Sequence, residues 1–185
     1  MRPMPSLLVV ALVAGCGSDP VSYSAPVGIN LKAKSGDVSQ TVISEAKDIE
    51  SESGSPYKAF VDGARQALGG RDPSRIEVAS LALVLGAQST NVTKLEEVFT
   101  GRVDVLFVMN ETNNTYPVGH VTSPTGGGPV VMTIDFDSNS FSGMDRTSLI
   151  GGAFKVVIRG TAATGFAAKD AEVNLQATLR FQAFE

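Results

Sequence analysis

The chain has 185 residues, of which 43% are hydrophobic and 18% are charged, and its formal net charge is −4. This composition is typical of a folded chain with a sizeable core. The acidic balance argues against nucleic acid as a partner, because proteins that bind nucleic acid cluster Lys and Arg. With a single cysteine and a single histidine, the sequence supports neither a disulfide framework nor a histidine-based zinc site.

The first sixteen residues have the pattern of an export signal. Arg2 precedes an apolar run at residues 7–13, after which Ala14 and Gly15 lead to Cys16. A run of roughly ten residues is too short to span about 30 Å of hydrocarbon, but it fits the apolar part of a signal peptide. The segment from Val13 to Cys16 resembles the lipobox of bacterial lipoprotein precursors, in which the cysteine is lipidated and becomes the new N-terminus. The alternative is an ordinary cleaved signal in which Cys16 has no role.

The lipobox resemblance implies where the rest of the chain goes. Residues 1–16 are then the signal segment, and lipid on Cys16 holds the protein to a membrane of the bacterial cell envelope. Gly17 does not match the aspartate that marks inner-membrane retention in enteric bacteria, so the outer membrane is expected. Residues 17–26 are mostly small or polar without periodicity and predict a flexible tether. Residues 27–185 have the length of a single domain.

The first part of the predicted domain mixes strand and helix patterns. Apolar residues alternate with polar or small ones from Val27 to Lys34, which predicts a half-buried strand. Residues 38–49 fit either a helical face through Val42, Ala46 and Ile49 or a further strand. We expect helix or irregular structure there.

The clearest helix follows. Ser55 is the expected N-cap, Pro56 suits the first turn, and Gly69-Gly70 can end the helix. Its apolar face consists of Tyr57, Phe60, Ala64 and Leu68. Residues 76–85 are largely apolar on both sides, as in a central strand. Thr93 and Glu96 have capping-box spacing, which predicts a helix of two turns after Thr93.

The second half of the chain is dominated by strand patterns. Strands are predicted at residues 103–109, 130–137, 154–158 and 172–183, with loops at 110–115 and 119–128 and a turn-rich stretch at 138–152. The last strand is the strongest signal, because polar and apolar residues alternate without exception from Glu172 to Ala183. Half-solvated strands without regularly interleaved helices build antiparallel sheets. The predicted fold is therefore mainly β, an antiparallel β-sandwich with one or two short helices packed on it.

Residues with catalytic or metal-binding chemistry are few and scattered. His120 lies in a predicted loop, with no cysteine nearby and no nucleophile-elbow motif elsewhere. Asp135, Asp137 and Asn139 faintly resemble a calcium loop, but Ser140 stands where that loop needs glycine. Calcium binding by the two aspartates is left open. We expect a non-enzymatic protein with no cofactor and no metal site.

The leading hypothesis is a lipid-anchored cell-envelope lipoprotein that serves as a binding or structural accessory domain for an envelope protein or glycan. The expected partner-binding loops contain Asn110, Asn113, Tyr116 and His120, because these segments lack an apolar face to bury. The alternative hypothesis is a carrier or hydrolase that acts on envelope lipid or glycan through an apolar cleft and dispersed carboxylates.

Overall fold

A computed structural model of the chain describes residues 21–50 and 54–185. The strands of this part are β1 (Ser22–Lys34), β2 (Val42–Asp48), β3 (Arg75–Leu85), β4 (Phe99–Met109), β5 (Thr115–Thr122), β6 (Val130–Val131), β7 (Thr133–Ile134), β8 (Phe154–Ala162) and β9 (Glu172–Phe184). The α-helices are α1 (Pro56–Ala67) and α2 (Gly143–Gly151), and short 3-10 turns lie at Ser35–Asp37, Leu95–Glu97, Ser138–Ser140 and Phe166–Ala168. Neither helix of this part is long and apolar enough to cross a membrane. The signal segment and Cys16 lie outside the described residues, so lipidation stays a prediction.

The strands form two antiparallel sheets that pack into a sandwich. Within the described residues, the first sheet has the order β1-β9-β3-β6 and the second the order β2-β8-β4-β5-β7. The first half of the chain pairs with the second half in reverse order, β1 with β9, β2 with β8, β3 with β6 and β4 with β5. A long hairpin wound into two sheets in this way is the jelly-roll arrangement of a β-sandwich. The predicted antiparallel β-sandwich is confirmed.

The core lies between the two sheets and is organised by β9. This strand lies between β1 and β3, and all six of its apolar residues in the predicted phase are buried. Phe181 packs edge-on against Tyr57, with the ring centroids 5.0 Å apart, and contacts Phe60 at 5.4 Å. Phe107 of the second sheet contacts Phe154 with the centroids 4.7 Å apart. Aromatic pairs at such distances add about 0.5–1.5 kcal/mol each beyond burial.

Helix α1 covers one end of the sandwich with the predicted face. Tyr57, Phe60, Ala64 and Leu68 are all buried. The buried hydroxyl of Tyr57 donates a hydrogen bond of 2.6 Å to the carbonyl of Leu149 in α2, and burial raises the pKa of this phenol. Ser55 is the N-cap residue, as expected, but its backbone is left-handed and its side chain makes no capping hydrogen bond.

Several predicted boundaries in the first half are wrong. Residues 38–49 contain β2, which pairs with β8 along its whole length. Glu45 of β2 lies opposite the buried Ile158 and thus faces the interior, and its burial raises its pKa. An inward-facing charge on an edge strand discourages pairing with a further strand. The same charge interrupts the alternation of apolar and polar residues by which a strand is predicted from sequence. The flexible tether predicted at 17–26 is wrong from Ser22 onward, because β1 begins there.

The second half also departs from its pattern. Gly119 to Thr122 were expected in a loop but belong to β5. The strand predicted at residues 130–137 is divided, since β6 belongs to the first sheet and β7 to the second, with the buried Met132 between them. The turn-rich stretch contains α2, which begins at the N-cap Ser142. The helix predicted after Thr93 is a single 3-10 turn in which Glu97, not Glu96, accepts the backbone N–H of Thr93 at 2.7 Å.

Truncation of Phe181 tests the central role of β9. We expect Phe181→Ala to cost about 3–5 kcal/mol, since it leaves a cavity among the core rings. The melting temperature should then fall by roughly 6–20 °C. Gln182→Ala, on the outer face of the same strand, is the matched control and should change it little. Equal shifts in a thermal melt followed by circular dichroism would contradict this placement of the strand.

Candidate functional site

The four residues expected to bind a partner do not lie together. Asn110 and Asn113 are exposed in the turn between β4 and β5, where Asn113 has φ +58°. The amide of Asn110 donates to Asp48 at 3.2 Å. Tyr116 and His120 lie in β5 rather than in a loop.

A β-bulge places Tyr116 and His120 on opposite faces of the second sheet. Tyr116 lies opposite Phe107, whose side chain is in the core, whereas His120 lies opposite Asp104, three positions earlier in β4. The register shifts between Val105 and Leu106. Without that extra residue, positions 116 and 120 would share a face, because side chains alternate with period two.

Tyr116 points to a buried carboxylate. Its ring stacks on Phe141 with the centroids 3.8 Å apart, and its hydroxyl donates to Oδ2 of Asp145 at 2.6 Å. Asp145 is 0% exposed. Its carboxylate also accepts hydrogen bonds from Thr112 at 2.5 Å, Asn114 at 2.8 Å and Ser142 at 2.9 Å.

The Asp145 carboxylate has its capacity filled by this chain. A carboxylate offers about four acceptor positions, and donors from the β4–β5 turn, β5 and the α2 cap occupy them. Burial raises the pKa of Asp145, but the four hydrogen bonds outweigh it and hold the pKa well below its ordinary value. Burial and the bond to Asp145 raise the pKa of Tyr116. The cluster is therefore a structural joint between the β4–β5 hairpin and α2.

His120 belongs to a charged cluster on the outer face of the second sheet. Its Nδ1 lies 2.6 Å from Oδ2 of Asp135. The guanidinium of Arg102 donates to Asp104 at 2.6 Å and lies 3.4 Å from the same Asp135 oxygen. His120 and Asp135 are about one quarter exposed, with side-chain values of 23% and 27%.

The charged cluster around His120 has neither a nucleophile bonded to the histidine nor the ligands of a metal site among the described residues. In the described part of the chain, His120 makes no hydrogen bond to a serine, threonine or cysteine that a histidine base could activate. Residues 21–50 and 54–185 contain no group of three or more His, Cys, Asp and Glu placed to hold a metal. Asp137, the other aspartate considered for calcium, accepts the backbone N–H of Asn139 at 2.9 Å and caps a 3-10 turn.

A cavity of about 360 Å³ lies between α1 and the end of α2. Its wall includes Ile49, Tyr57, Lys58, Val61, Arg65 and Ile150. Asp62, also in the wall, lies 2.6 Å from Lys58 and 3.6 Å from Arg65, so these charges already have partners. No buried side-chain nitrogen or oxygen among the described residues lacks a hydrogen bond, so the wall contains no buried polar group without a partner.

The outer face of the second sheet carries two rows of side chains in register. The apolar row crosses four strands and consists of Ala46, Val157, Leu106 and Pro117. The polar row beside it consists of Ser44, Arg159, Asp104, His120 and Thr133. All nine side chains are exposed or half-buried. We call these two rows the second-sheet face.

The outer face of the first sheet has a different character. The paired positions of β1 and β9 there are mostly amides, hydroxyls and charges, such as Asn30 opposite Gln176 and Ser24 opposite Gln182. The least polar line across the described strands of this sheet consists of Gly28, Thr178, Ala82 and Val131, and only Val131, which is 77% exposed, has a large apolar side chain there. The two outer faces therefore differ in what they can contact.

Reasoning from the sequence missed the second-sheet face, although a signal was present. In β4 the buried phase includes Val105 and Phe107, and the opposite phase contains Leu106 and Val108. A strand with one face in water should carry polar residues on that phase. Apolar residues on both phases of β4, and Val157 in β8, indicate that the second phase has a use of its own.

Comparisons with known proteins identify no family. Neither a family model nor a curated protein matches the sequence. Among solved structures, the chain is similar to one of Desmodium yellow mottle tymovirus, at 11% identity over 100% of this chain and 96% of that one, with a TM-score of 0.32. It is also similar to a structure of Cocksfoot mottle virus, at 12% identity over 100% of this chain and 95% of that one, with a TM-score of 0.36.

These comparisons contradict the expected bacterial cell-envelope lipoprotein. Both structures are of viruses and not of envelope proteins, so the envelope function, its carrier or hydrolase alternative and the outer-membrane location are withdrawn. The likeness carries no virus-specific role to this chain either, because both TM-scores are below 0.5.

Replacement of Asp145 tests the structural joint. We expect Asp145→Asn to destabilise the fold by at least about 2 kcal/mol, since hydrogen bonds to a charged group contribute about 1.5–3 kcal/mol each. Because the folded pKa is lowered, the carboxylate stabilises the fold above its unfolded pKa of about 3.9 and loses that effect as the pH falls further. The difference in melting temperature between wild type and variant should be constant from about pH 5 to 8 and shrink below about pH 4.

Asp137→Asn is the control for the Asp145 experiment, because Asp137 is exposed and caps only a short turn. It should shift the melting temperature little at any pH. A gap between wild type and Asp145→Asn that stayed unchanged down to pH 2 would contradict the assignment of the charge.

Proposed function

We propose that this protein is a protein-binding module whose binding surface is the second-sheet face. The observation that carries the proposal is the apolar row of Ala46, Val157, Leu106 and Pro117, which lies in register across four strands on the outer side of the sheet. An apolar centre with a polar border is the common anatomy of a protein interface.

The polar row supplies the border of this surface. Arg159 and Asp104 lie directly opposite each other on β8 and β4, and His120 follows on β5. Arg102 holds Asp104 and Asp135 in place from the same side. Charges at the border of an apolar patch favour specificity and correct orientation of the partner more than affinity.

The rigidity of the face supports binding without reorganisation. The two central strands of the face have their neighbouring positions buried in the core, as Val105 and Phe107 flank Leu106 and Val156 and Ile158 flank Val157. A surface fixed by the core pays little conformational entropy when a partner binds. This is the reverse of adaptable loop contacts, and it moves the predicted binding surface from the β4–β5 turn to the sheet.

Photo-crosslinking with matched positions on the two outer faces tests the proposal. A benzophenone amino acid is placed at Ala46 or Pro117 in the apolar row, or at Gln176 or Arg180 on the first sheet, all of them exposed. In the cells that make the protein, we expect covalent protein adducts from the first pair of positions and none from the second. Adduct sites are mapped by mass spectrometry, and melting temperatures verify the fold of each variant.

Two results would contradict the proposal. Adducts that form equally from both outer faces would show nonspecific collision, and an absence of adducts from Ala46 and Pro117 would show that the face has no protein partner. Either result would leave the fold and the Asp145 joint untouched.

A further inference from the structure

We infer that the partner of the second-sheet face is a second copy of this chain, related by a two-fold axis parallel to the strands between β8 and β4. The inference rests on the proposed function and names its partner. It comes from the register of the two central strands, in which Arg159 lies opposite Asp104 and Val157 lies opposite Leu106.

This register makes the charged positions self-complementary. When two such faces stack about that axis, each copy places its β8 over the β4 of the other. Arg159 of one copy then meets Asp104 of its partner, and the same contact occurs a second time by symmetry, as in any isologous interface. Packed sheets lie about 10 Å apart, a distance that a long arginine side chain can bridge to an aspartate.

The apolar row obeys the same symmetry. The axis exchanges Val157 with Leu106, so the half-buried side chains at the centre of the face meet each other. Ala46 and Pro117 flank them on β2 and β5. The row therefore contacts a row of the same composition, with no polar group opposite its centre.

The charges of the face balance, which removes repulsion between copies. Arg102, Lys155 and Arg159 are offset by Asp48, Asp104 and Asp135 on the same side of the sheet. The formal charge of −4 of the whole chain thus arises elsewhere. Arg159 is exposed and forms no ion pair with the described residues, so it can meet a carboxylate of the other copy without losing a partner.

The size of the face sets the strength of the dimer. The face is four strands wide, with strands about 4.8 Å apart, and seven residues long, with a rise of about 3.3 Å per residue. Its area is therefore roughly 440 Å² per copy, or about 900 Å² in total. Stable interfaces bury about 1,200–2,000 Å² in total. The dimer should therefore be weak and concentration-dependent, with a Kd on the order of 10–100 µM.

Sedimentation equilibrium of the full chain from about 5 to 500 µM tests the inference across the expected Kd. Wild type should pass from monomer to dimer in this range. Leu106→Lys should weaken dimerisation at least about tenfold, because it places a charge in the apolar centre. Ala46→Lys, at an exposed edge position, gives a second reading if Leu106→Lys folds poorly. Thr178→Lys on the first sheet is the matched control and should leave the Kd unchanged.

Charge reversal tests the two-fold arrangement itself. Arg159→Asp should weaken the dimer about tenfold or more, since it places like charges opposite each other twice. The double variant Arg159→Asp with Asp104→Arg restores opposite charges at every contact and should recover the Kd to within about threefold of wild type. Recovery in the double variant is expected because positions 159 and 104 face each other between copies, and melting temperatures verify the fold.

Three results would overturn the inference. These are a monomer at every concentration, a dimer that Leu106→Lys and Ala46→Lys leave unchanged, and a double variant no tighter than Arg159→Asp. A monomeric purified chain that still gives crosslinks from Ala46 in cells to a different protein would overturn the second copy while keeping the proposed binding face. Failure of both experiments would remove the binding face as well.

Discussion

The pairing of β9 with β1 on one side and β3 on the other is the constraint on which the structure depends. It joins Ser22 to Phe184 and Arg75 to the same residue, so the ends of the described chain close the first sheet. A slip of one residue would turn Leu175, Leu179 and Phe181 to water and move polar residues into the core. Strand β8, which precedes β9 in the chain, lies in the second sheet between β2 and β4.

Local irregularities then decide which residues share a face. The bulge between β4 and β5 sends Tyr116 to the Asp145 joint and His120 to the outer face. Gly119 lies at this bulge, where a Cβ would stand 2.6 Å from the carbonyl oxygen of Thr133, so β7 can approach β5 only if this position lacks a side chain. That approach brings Asp135 to His120 and Arg102. One bulge and one glycine therefore determine the polar side of the proposed interface.

Sequence patterns predicted the elements that have one face in the core and the other face in water. The alternation in β9 and the apolar face of α1 were sufficient, since period two and period 3.6 leave no other solution. Strand β2 was obscured because Glu45 faces inward at a sheet edge, and α2 because its polar cap was taken for a turn, although Ser142 and Asp145 have capping spacing. The partners of Asp145 and the rows of the second-sheet face depend on strand register and on a bulge. Register between distant strands cannot be read from local periodicity, so local patterns alone could not predict these rows.

Polar groups that have hydrogen-bond partners within the chain stabilise the fold, whereas the outer face of the second sheet carries side chains that are available for contact with a partner. Buried groups have their partners within the chain, as Asp145 has its four donors and Tyr57 has the Leu149 carbonyl. Leaving such groups unpaired costs about 1–3 kcal/mol each, so selection for stability alone explains them. Stability explains an apolar row on the outer side of a sheet only in part, because cross-strand pairs contribute about 0.2–1 kcal/mol each while part of every such side chain stays in water. It does not explain Arg159, which stands beside Asp104 while Arg102 occupies that carboxylate. The apolar row and Arg159, which is unpaired among the described residues, are both explained if a second copy of the same face covers them. The strand register then places Asp104 of that copy over Arg159 and apolar side chains over the apolar row.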